Sequence, residues 1–320
     1  MEIDLKRAAE QLLNNDDILV LCHAHPDGDT LGCGHALLHM LQALGKRCTL
    51  RCADEILPKY NFMKEGLKEY EPFEPKFIVS VDVADIKLLS DAFADEYRGK
   101  IDLCIDHHGS NVPFAKESYV EGTSAAAAEI LVPLADLLGV KIDKHIADCL
   151  YTGIATDTGC FKFSNTTART HILAARLIEC GADYAEINRV FFDTKSRGYA
   201  ILERMALDSL ELHFDDRCAV ITVTQDMFEK SGACDGETDA IPSLSRQIEG
   251  VLAGVTLKET KERDAFKISV RTHAPIDASQ ICKRLGGGGH VRASGAKISG
   301  TKEEVKLKVL QSVKQELEAL

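Results

Sequence analysis

Residues 18–29, Ile-Leu-Val-Leu-Cys-His-Ala-His-Pro-Asp-Gly-Asp, join an apolar run to a group of polar residues. The apolar run is typical of a buried strand, and the residues that follow the stretch have a helical pattern. We therefore predict a turn from a strand into a helix, which is where α/β proteins bind ligands. His23, Asp27 and Asp29 lie in this turn. Carboxylates this close repel one another unless a cation offsets their charge, and a hard divalent metal is the simplest such cation.

Further along the chain, three other segments carry the same kinds of ligand residue. The apolar runs 77–81 and 101–105 are each followed by acidic residues or histidines, and the helical stretch 145–155 is followed by a further acidic position. The residues concerned are Asp82, Asp106, His107, His108 and Asp157. Because a parallel sheet brings its strand ends to one edge, we expect these side chains to converge.

Strand and helix patterns alternate through the first part of the chain, which predicts an α/β fold with a doubly wound, mostly parallel sheet. The predicted strands are 17–22, 47–52, 77–82 and 101–106, and the predicted helices are 31–44, 124–138, 143–155 and 167–180. We expect a catalytic domain over 1–190, a helical linker over 191–214 and a smaller α/β domain with a mixed sheet over 215–320. The active site is expected in the cleft between the two domains.

The second domain contains a local excess of basic residues. Residues 262–297 include seven Lys or Arg residues against three acids. The same region contains four consecutive glycines, Gly286–Gly289, followed by His290. Glycines are costly to order, so a flexible loop is one interpretation. The other is that their N–H groups approach an anion closely, as in a phosphate-binding nest.

Composition excludes several classes of protein. The formal net charge of −12 argues against a protein that grips long nucleic acid over its whole surface. No apolar run is long enough to span a bilayer, and the acidic start Met1–Asp4 does not resemble a signal peptide. We therefore expect a cytoplasmic protein. Its 11 cysteines are expected to be reduced and mostly buried.

Taken together, these motifs resemble the DHH phosphoesterase superfamily. The resemblance rests on His-x-x-Pro-Asp-Gly-Asp, a strand ending in Val-Asp, Asp-His-His and the later Thr-Asp-Thr-Gly. The glycines and His290, followed by 293–295 (Ala-Ser-Gly), resemble the DHH-associated C-terminal domain. These segments occur in the family's order over nearly the whole chain. The compact length is similar to that of the nanoRNase branch, which comprises oligoribonucleases and 3′-phosphoadenosine 5′-phosphate phosphatases.

The resemblance implies two divalent metal ions, usually Mn²⁺, with Mg²⁺ or Co²⁺ as alternatives. It implies that one metal is bound by His23, Asp27 and Asp82, and the other by Asp29, Asp82, His107 and Asp157. Asp82 would bridge the pair and act in catalysis, together with His108 beside the scissile phosphate. Asp106 would orient a histidine. The implied substrate-binding residues are Arg271, Gly287, Gly288, Gly289 and His290.

The implied activity is hydrolysis of phosphoester bonds. The expected substrates are very short oligoribonucleotides, including linear dinucleotides, and 3′-phosphoadenosine 5′-phosphate. We expect no membrane partner and no long nucleic acid, and the resemblance is compatible with a homodimer. Three alternatives stay open: an inorganic pyrophosphatase, a RecJ-type single-strand exonuclease and a non-catalytic nucleotide sensor that keeps the fold. The glycines before His290 argue against the first, and the acidic charge and compact length against the second.

Each residue also has a simpler interpretation when it is considered alone. An aspartate at a strand end, such as Asp82, is more often a helix cap than a metal ligand. His25 is expected to lie outside the metal ligands. His35 and His39 have the i, i+4 spacing of a metal pair, but no acidic partner accompanies them, so we expect an ordinary buried or surface pair.

Overall fold

A computed structural model of the protein describes residues 1–234, 238 and 240–319. The chain forms two compact units, Met1–Thr194 and Lys195–Leu320. Within the described residues, no helix is both long and apolar enough to cross a membrane.

The first unit is built on a five-stranded parallel sheet. Its strands are β1 (Ile18–Leu21), β2 (Cys48–Arg51), β3 (Phe77–Val81), β4 (Leu103–Asp106) and β5 (Glu117–Val120). They are arranged in the order β2-β1-β3-β4-β5. The order reverses between β1 and β3, and such a switch point opens the crevice in which doubly wound proteins bind ligands.

Helices cover both faces of this sheet, which confirms the predicted doubly wound fold. They are α1 (Leu5–Asn14), α2 (Gly28–Ala43), α3 (Asp91–Tyr97), α4 (Ala128–Leu137), α5 (Lys144–Asp157), α6 (Ala168–Glu179) and α7 (Tyr184–Asn188), with a π-helical turn at Arg189–Asp193. Helices α1, α2, α4 and α5 pack on one face, and α3 packs on the other. Every residue of β1, β3 and β4 is buried, because both faces are covered.

Two glycines bring α2 and α5 unusually close together. A Cβ atom on Gly32 would lie 2.4 Å from the carbonyl oxygen of Cys149, and one on Gly153 would lie 2.5 Å from Asp29 Oδ1. Any side chain at either position would therefore separate the helices. This close approach brings the end of α5, which carries Asp157, to the start of α2.

Strand β5 is the element of this sheet that the sequence did not predict. It is an edge strand with the sequence Glu-Ser-Tyr-Val, of which only Ser118 is buried. A half-exposed edge strand needs no apolar run, so the pattern used for the other strands is missing. Its outer side is paired with the N-terminus, through the N–H of Ile3 and the carbonyl oxygen of Ser118 at 2.9 Å.

The second unit contains a six-stranded mixed sheet in the order β10-β11-β9-β8-β7-β6. Its strands are β6 (Glu211–His213), β7 (Cys218–Val223), β8 (Ala253–Glu259), β9 (Ala265–Thr272), β10 (Gly288–Gly289) and β11 (Ala293–Ser299). The helices are α8 (Arg197–Asp208), α9 (Gln225–Ser231), α10 (Ile241–Leu244), α11 (Ala278–Arg284) and α12 (Lys302–Glu318). Strands β7 and β8 are parallel and the other pairs are antiparallel, which confirms the predicted mixed sheet.

Residues 191–214, which we expected to form a helical linker, differ from that description. Helix α8 packs through Tyr199 and Leu202 against Ile221 and Val223 of β7. The segment then continues into β6, the edge strand that pairs with β7. Most of it is therefore part of the second unit's own core and sheet.

Candidate metal centre and the glycine segment

Six side chains meet at the ends of three adjacent strands in the first unit, and we call them the Asp/His cluster: His23, Asp27, Asp29, Asp82, His107 and Asp157. His23 follows β1, Asp82 follows β3 and His107 follows β4. Because these strands are parallel neighbours, their carboxyl ends lie side by side, as the sequence predicts.

Asp82 is at the centre of the cluster. Its backbone has a φ of 57°, in the left-handed region that aspartate tolerates better than most residues. This conformation ends β3 at once, while the Asp82 N–H still donates to the carbonyl oxygen of Ile105 at 2.9 Å. Asp82 does not cap a helix, because the short helix that follows β3 is capped by Asp85. The simpler interpretation of Asp82 is therefore wrong.

His23 directs one ring nitrogen into the cluster. Its Nε2 atom lies 3.6 Å from Asp27 Oδ1 and 3.6 Å from Asp82 Oδ2. Its Nδ1 atom lies 2.8 Å from the carbonyl oxygen of Ala24 and donates to it. That hydrogen bond leaves the lone pair of the neutral ring on Nε2, which is the orientation a metal-binding histidine requires. Asp27 also caps α2, because its Oδ1 accepts from the N–H of Asp29 at 3.0 Å.

His107 is oriented in the same way on the other side of Asp82. Its Nε2 atom lies 3.4 Å from Asp82 Oδ1, 3.3 Å from Asp157 Oδ2 and 3.9 Å from Asp29 Oδ2. Its Nδ1 atom lies 3.1 Å from the carbonyl oxygen of Ser124. Two histidines on opposite sides of a shared aspartate create two adjacent groups of ligands, as two metal ions would need.

Asp29 is fully buried and is held by the first turn of α4. Its Oδ2 accepts from the N–H of Ala127 at 2.6 Å, and its Oδ1 accepts from the N–H of Ala128 at 3.0 Å. A helix N-terminus favours negative charge. Even so, burial and the repulsion of Asp157 and Asp82 raise the pKa of Asp29 well above its usual value. The cluster therefore holds more negative charge than its surroundings neutralise.

The histidines respond to the same excess of negative charge. Burial alone would lower the pKa of His23, but contacts with Asp27 and Asp82 raise it to about 11. For His107, burial is likewise outweighed by Asp157 and Asp82, and the pKa rises to about 12. Burial raises the pKa of Asp157 to about 6 against the opposing effect of His107. Without another cation, protons must supply the positive charge that this cluster attracts.

The donor set fits divalent metal ions. Asp82 Oδ1 and His107 Nε2 are buried and have no hydrogen-bond partner within the described part of the chain. Among the described residues, the ligand atoms inside each of three groups lie within 4.8 Å of one another. The groups are His23, Asp27 and Asp82; Asp29, His107 and Asp157; and Asp82, His107 and His108. Carboxylate oxygens with imidazole nitrogens suit Mn²⁺ or Mg²⁺ better than a soft metal.

His108 lies beside the cluster and is held by a separate chain of hydrogen bonds. Its Nδ1 donates to Asp106 Oδ1 at 2.8 Å, and Asn111 Nδ2 donates to Asp106 Oδ2 at 2.7 Å. The hydrogen bond to Asp106 raises the pKa of His108, and its side chain is 38% exposed. Sequence reasoning missed Asn111, because nothing in its spacing from the Asp-His-His motif distinguishes it from any other loop asparagine.

The remaining histidines near the first motif lie outside the cluster. The His25 side chain is exposed and its Nδ1 lies 2.9 Å from Asp54 Oδ2. His35 and His39 are both buried, and their ring nitrogens are paired with the backbone carbonyls of Leu31 and Met63. Their i, i+4 spacing therefore serves packing in α2, which agrees with the simpler interpretation.

In the second unit, Arg271 is half-buried on β9 and has no acidic partner among the described residues. Burial and the nearby positive charge of Arg246 lower its pKa. Two guanidinium groups close to each other without a carboxylate favour binding of an anion. The sequence pattern singled out Arg271 but not Arg246, which lies on a short helical turn outside the basic region. Other basic residues of that region are already paired, such as Arg263 with Asp226 and Arg284 with Glu316.

The glycine segment, Gly286–His290, forms an ordered turn that leads into β10. The N–H groups of Gly286, Gly287 and His290 donate to backbone carbonyls of the same unit. The segment therefore differs from an open nest of consecutive free N–H groups. Gly287 and Gly289 pass so close to β11 that a Cβ atom would clash with its backbone, whereas a Cβ on Gly288 would meet nothing within 4 Å. Gly288, Gly289 and His290 are all exposed.

Comparisons with known proteins agree with this architecture. A model of the DHH family N-terminal domain matches residues 17–154, and a model of the DHHA1 domain matches residues 216–319. A protein of Thermus thermophilus named bifunctional oligoribonuclease and PAP phosphatase NrnA is 33% identical over 94% of this chain and 90% of its own length. The chain belongs to the DHH family. It is accordingly a hydrolase that acts on phosphoester bonds, as predicted.

Other relatives and structures extend the comparison. A Bacillus subtilis protein of the same name is 26% identical over 88% of this chain and 90% of its own length. The crystal structure of an exopolyphosphatase-related protein from Bacteroides fragilis matches with a TM-score of 0.87 and 23% identity, covering 97% of this chain and 96% of that one. This similarity confirms the fold.

Proposed function

We propose that this protein hydrolyses very short oligoribonucleotides, including linear dinucleotides, and 3′-phosphoadenosine 5′-phosphate. The Asp/His cluster carries the proposal, because it gathers the ligand types of two metal ions around one oxygen of Asp82 that accepts no hydrogen bond from the described residues. The relatives from Thermus thermophilus and Bacillus subtilis, whose names include oligoribonuclease and PAP phosphatase, support the choice of substrates. A cytoplasmic location and a homodimer stay predictions from the sequence.

Two divalent cations, of which Mn²⁺ is our first choice, would be held by His23, Asp27 and Asp82 on one side, and by Asp29, Asp82, His107 and Asp157 on the other. When bound, such ions make water a better nucleophile and neutralise charge on the phosphoryl oxygens. The chain's own contribution is orientation. The carbonyl oxygens of Ala24 and Ser124 hold both imidazole rings with Nε2 toward the carboxylates.

His108 is the proposed general acid. Because Asp106 holds its Nδ1–H and raises its pKa, the ring can keep a second proton near neutral pH. Nε2 is then the atom that can donate a proton to the leaving ribose oxygen. Asn111 donates to the Asp106 carboxylate and so fixes the orientation of the His108 ring, with Nε2 directed away from Asp106, before substrate binds.

The second unit is proposed to bind a phosphate group of the substrate. Arg271 supplies a cation without an acidic partner among the described residues, and Arg246 adds a second positive charge nearby. Gly288 and His290 are exposed at the edge of the same sheet, where β11 separates β10 from β9, the strand that carries Arg271. Specific recognition of one terminal phosphate would favour short substrates over long strands, in agreement with the net charge of −12.

A substrate panel tests the proposal. It consists of a labelled RNA trimer, a labelled RNA of about 24 nucleotides, which is longer than one binding fold covers, 3′-phosphoadenosine 5′-phosphate and pyrophosphate, each with Mn²⁺ and with chelator. We expect rapid, chelator-sensitive loss of the trimer and the bisphosphate, while the long RNA and pyrophosphate persist. Cleavage of pyrophosphate alone, rapid digestion of the long RNA, or silence across the panel would each contradict the proposal.

A further inference from the structure

The loop that follows Asp157 has an unusual backbone. Gly159, Cys160 and Phe161 have φ values of 56°, 57° and 63°, so three consecutive residues adopt the left-handed conformation. For a bulky residue such as Phe161 this conformation is an outlier, and each such residue costs about 1–3 kcal/mol. Residues held in this way persist only when the surrounding structure imposes them, and they often occur at functional sites.

Several hydrogen bonds impose this conformation. The N–H groups of Lys162 and Phe163 both donate to the carbonyl oxygen of Thr158, at 2.9 and 3.0 Å. Asn165 Nδ2 donates to the carbonyl oxygen of Asp157 at 3.1 Å and to that of Ala125 at 3.0 Å. The loop is therefore held at Thr158, and its far end is tied through Asn165 to Asp157, which carries a carboxylate of the Asp/His cluster.

The loop directs its two phenylalanines in opposite ways. Phe161 points inward, where its ring stacks on His171 at 5.1 Å and packs near Tyr151 at 6.1 Å. Phe163 points outward and is 53% exposed. Single exposed apolar residues are common, but this one follows three left-handed residues in a loop that is held by hydrogen bonds.

Gly159 places the exposed ring close to the cluster. A Cβ atom on Gly159 would lie 2.3 Å from the Phe163 ring, so the ring lies directly on the Gly159 backbone. Gly159 is two residues beyond Asp157, and two residues separate Cα atoms by at most about 7.6 Å. An exposed aromatic ring thus packs on the backbone just after α5, the helix that ends at the proposed metal ligand Asp157.

From this geometry we infer that Phe163 is a stacking platform for a nucleobase of the substrate. The inference rests on the proposed function and adds a contact that recognises the base, whereas the Asp/His cluster and Arg271 address only phosphate. Stacking of a base on an aromatic side chain tolerates any base, because every base has a flat face. Phe163 is accordingly a positioning residue and takes no part in bond cleavage.

The test compares an RNA dinucleotide with its two abasic analogues, each of which lacks one base. We expect Phe163→Ala to raise KM for the intact dinucleotide by roughly 5- to 150-fold, the usual cost of one lost base stack. The kcat should stay near the wild-type value. For one of the two abasic analogues, wild type and Phe163→Ala should have the same KM, since that substrate has no base to stack.

Phe163→Trp keeps a flat ring and should retain the wild-type KM for the dinucleotide, whereas Phe163→Leu should behave like the alanine variant. Ile172→Ala is the matched control, because Ile172 is 68% exposed on α6 of the same unit but lies outside the loop. Equal KM values for wild type and Phe163→Ala, or equal losses on all three substrates, would overturn the inference. A wild-type protein inactive on every substrate would instead overturn the proposed function, and this inference with it.

Discussion

The Asp/His cluster of the first unit and the glycine segment of the second are organised in opposite ways. In the cluster, buried carboxylates surround a nitrogen and an oxygen that have no hydrogen-bond partner among the described residues. In the glycine segment, the residues are mostly exposed and three of the N–H groups are already paired. The cluster thus requires a bound cation to neutralise its negative charge. In the glycine segment, by contrast, three backbone N–H groups are already hydrogen-bonded, and a ligand can contact only the exposed surface.

The sharpest test of this contrast is Asp82→Asn. The amide keeps the volume of Asp82 and tolerates its backbone conformation, but it removes the charge shared by both halves of the cluster. We expect kcat/KM to fall by at least roughly a thousandfold.

Asp136→Asn is the matched control, since Asp136 lies on α4 of the same unit and pairs with Arg176 at the surface. It should leave kcat/KM unchanged. Mn²⁺ should raise the unfolding temperature of wild type and of this control, but not that of Asp82→Asn. If Asp82→Asn kept wild-type activity, the cluster would not be the catalytic centre.

The Asp/His cluster and the glycine segment also differ in how well the sequence predicts them. Strands β1, β3 and β4 are continuous apolar runs, because both faces of the parallel sheet are covered, and they end at the cluster residues. The convergence of the cluster residues could therefore be predicted from one rule, that parallel strands bring their carboxyl ends to the same edge of a sheet. Asn111 and Arg246 were missed because each acts through a contact made in space, with no local pattern around it.

The glycine segment shows the limit of reasoning from composition. Four glycines suggested an open nest, but Gly287 and Gly289 are required by the close passage of β11. A run of glycines looks the same in sequence whether a ligand or a neighbouring strand needs the space. Edge strand β5 was missed for a related reason, because exposure removes the apolar pattern from which strands are predicted.

Proton release should reveal the excess negative charge of the cluster. With pKa values of about 11 and 12, His23 and His107 are both protonated in the metal-free protein near pH 7. A histidine ligand must be neutral and a carboxylate ligand must be ionised, and the pKa of Asp29 is also raised, so binding should release at least two protons and Mn²⁺ affinity should rise with pH. Calorimetry in buffers of different ionisation enthalpy measures the number directly.

His23→Gln should reduce that number by about one, whereas His25→Gln is the matched control because His25 lies outside the cluster. A heat of binding that is the same in all buffers would show that the histidines are neutral before the metal arrives. In that case the lack of a hydrogen-bond partner at His107 Nε2 would not indicate that the cluster attracts positive charge.

The hydrogen-bonded chain behind His108 should have a smaller effect. Asp106→Asn removes the charge that raises the pKa of His108, so the alkaline limb of the pH–rate profile should move to lower pH. We expect kcat to fall by about 10–100-fold, the usual range for groups that orient an active-site residue. Asn111→Ala should lower kcat to a similar or lesser extent. An unchanged pH profile in Asp106→Asn would exclude His108 as the general acid.

The smallest effect is expected in the glycine segment, where two neighbouring substitutions separate folding from binding. A Cβ on Gly287 would lie 2.1 Å from the carbonyl oxygen of Gly295, so Gly287→Ala should displace β10 from β11 and lower stability by about 1–3 kcal/mol.

The added methyl group of Gly288→Ala meets nothing within 4 Å and should leave the unfolding temperature unchanged. If the exposed surface of Gly288 is where substrate approaches, its methyl group should raise KM several-fold with little change in kcat. Thermal unfolding and steady-state kinetics on the RNA trimer measure both quantities. A normal KM in Gly288→Ala would leave Arg271, Arg246 and His290 as the candidate phosphate-binding groups of this unit, because the packing of β11 explains Gly287 and Gly289 and a φ of 77° explains Gly286.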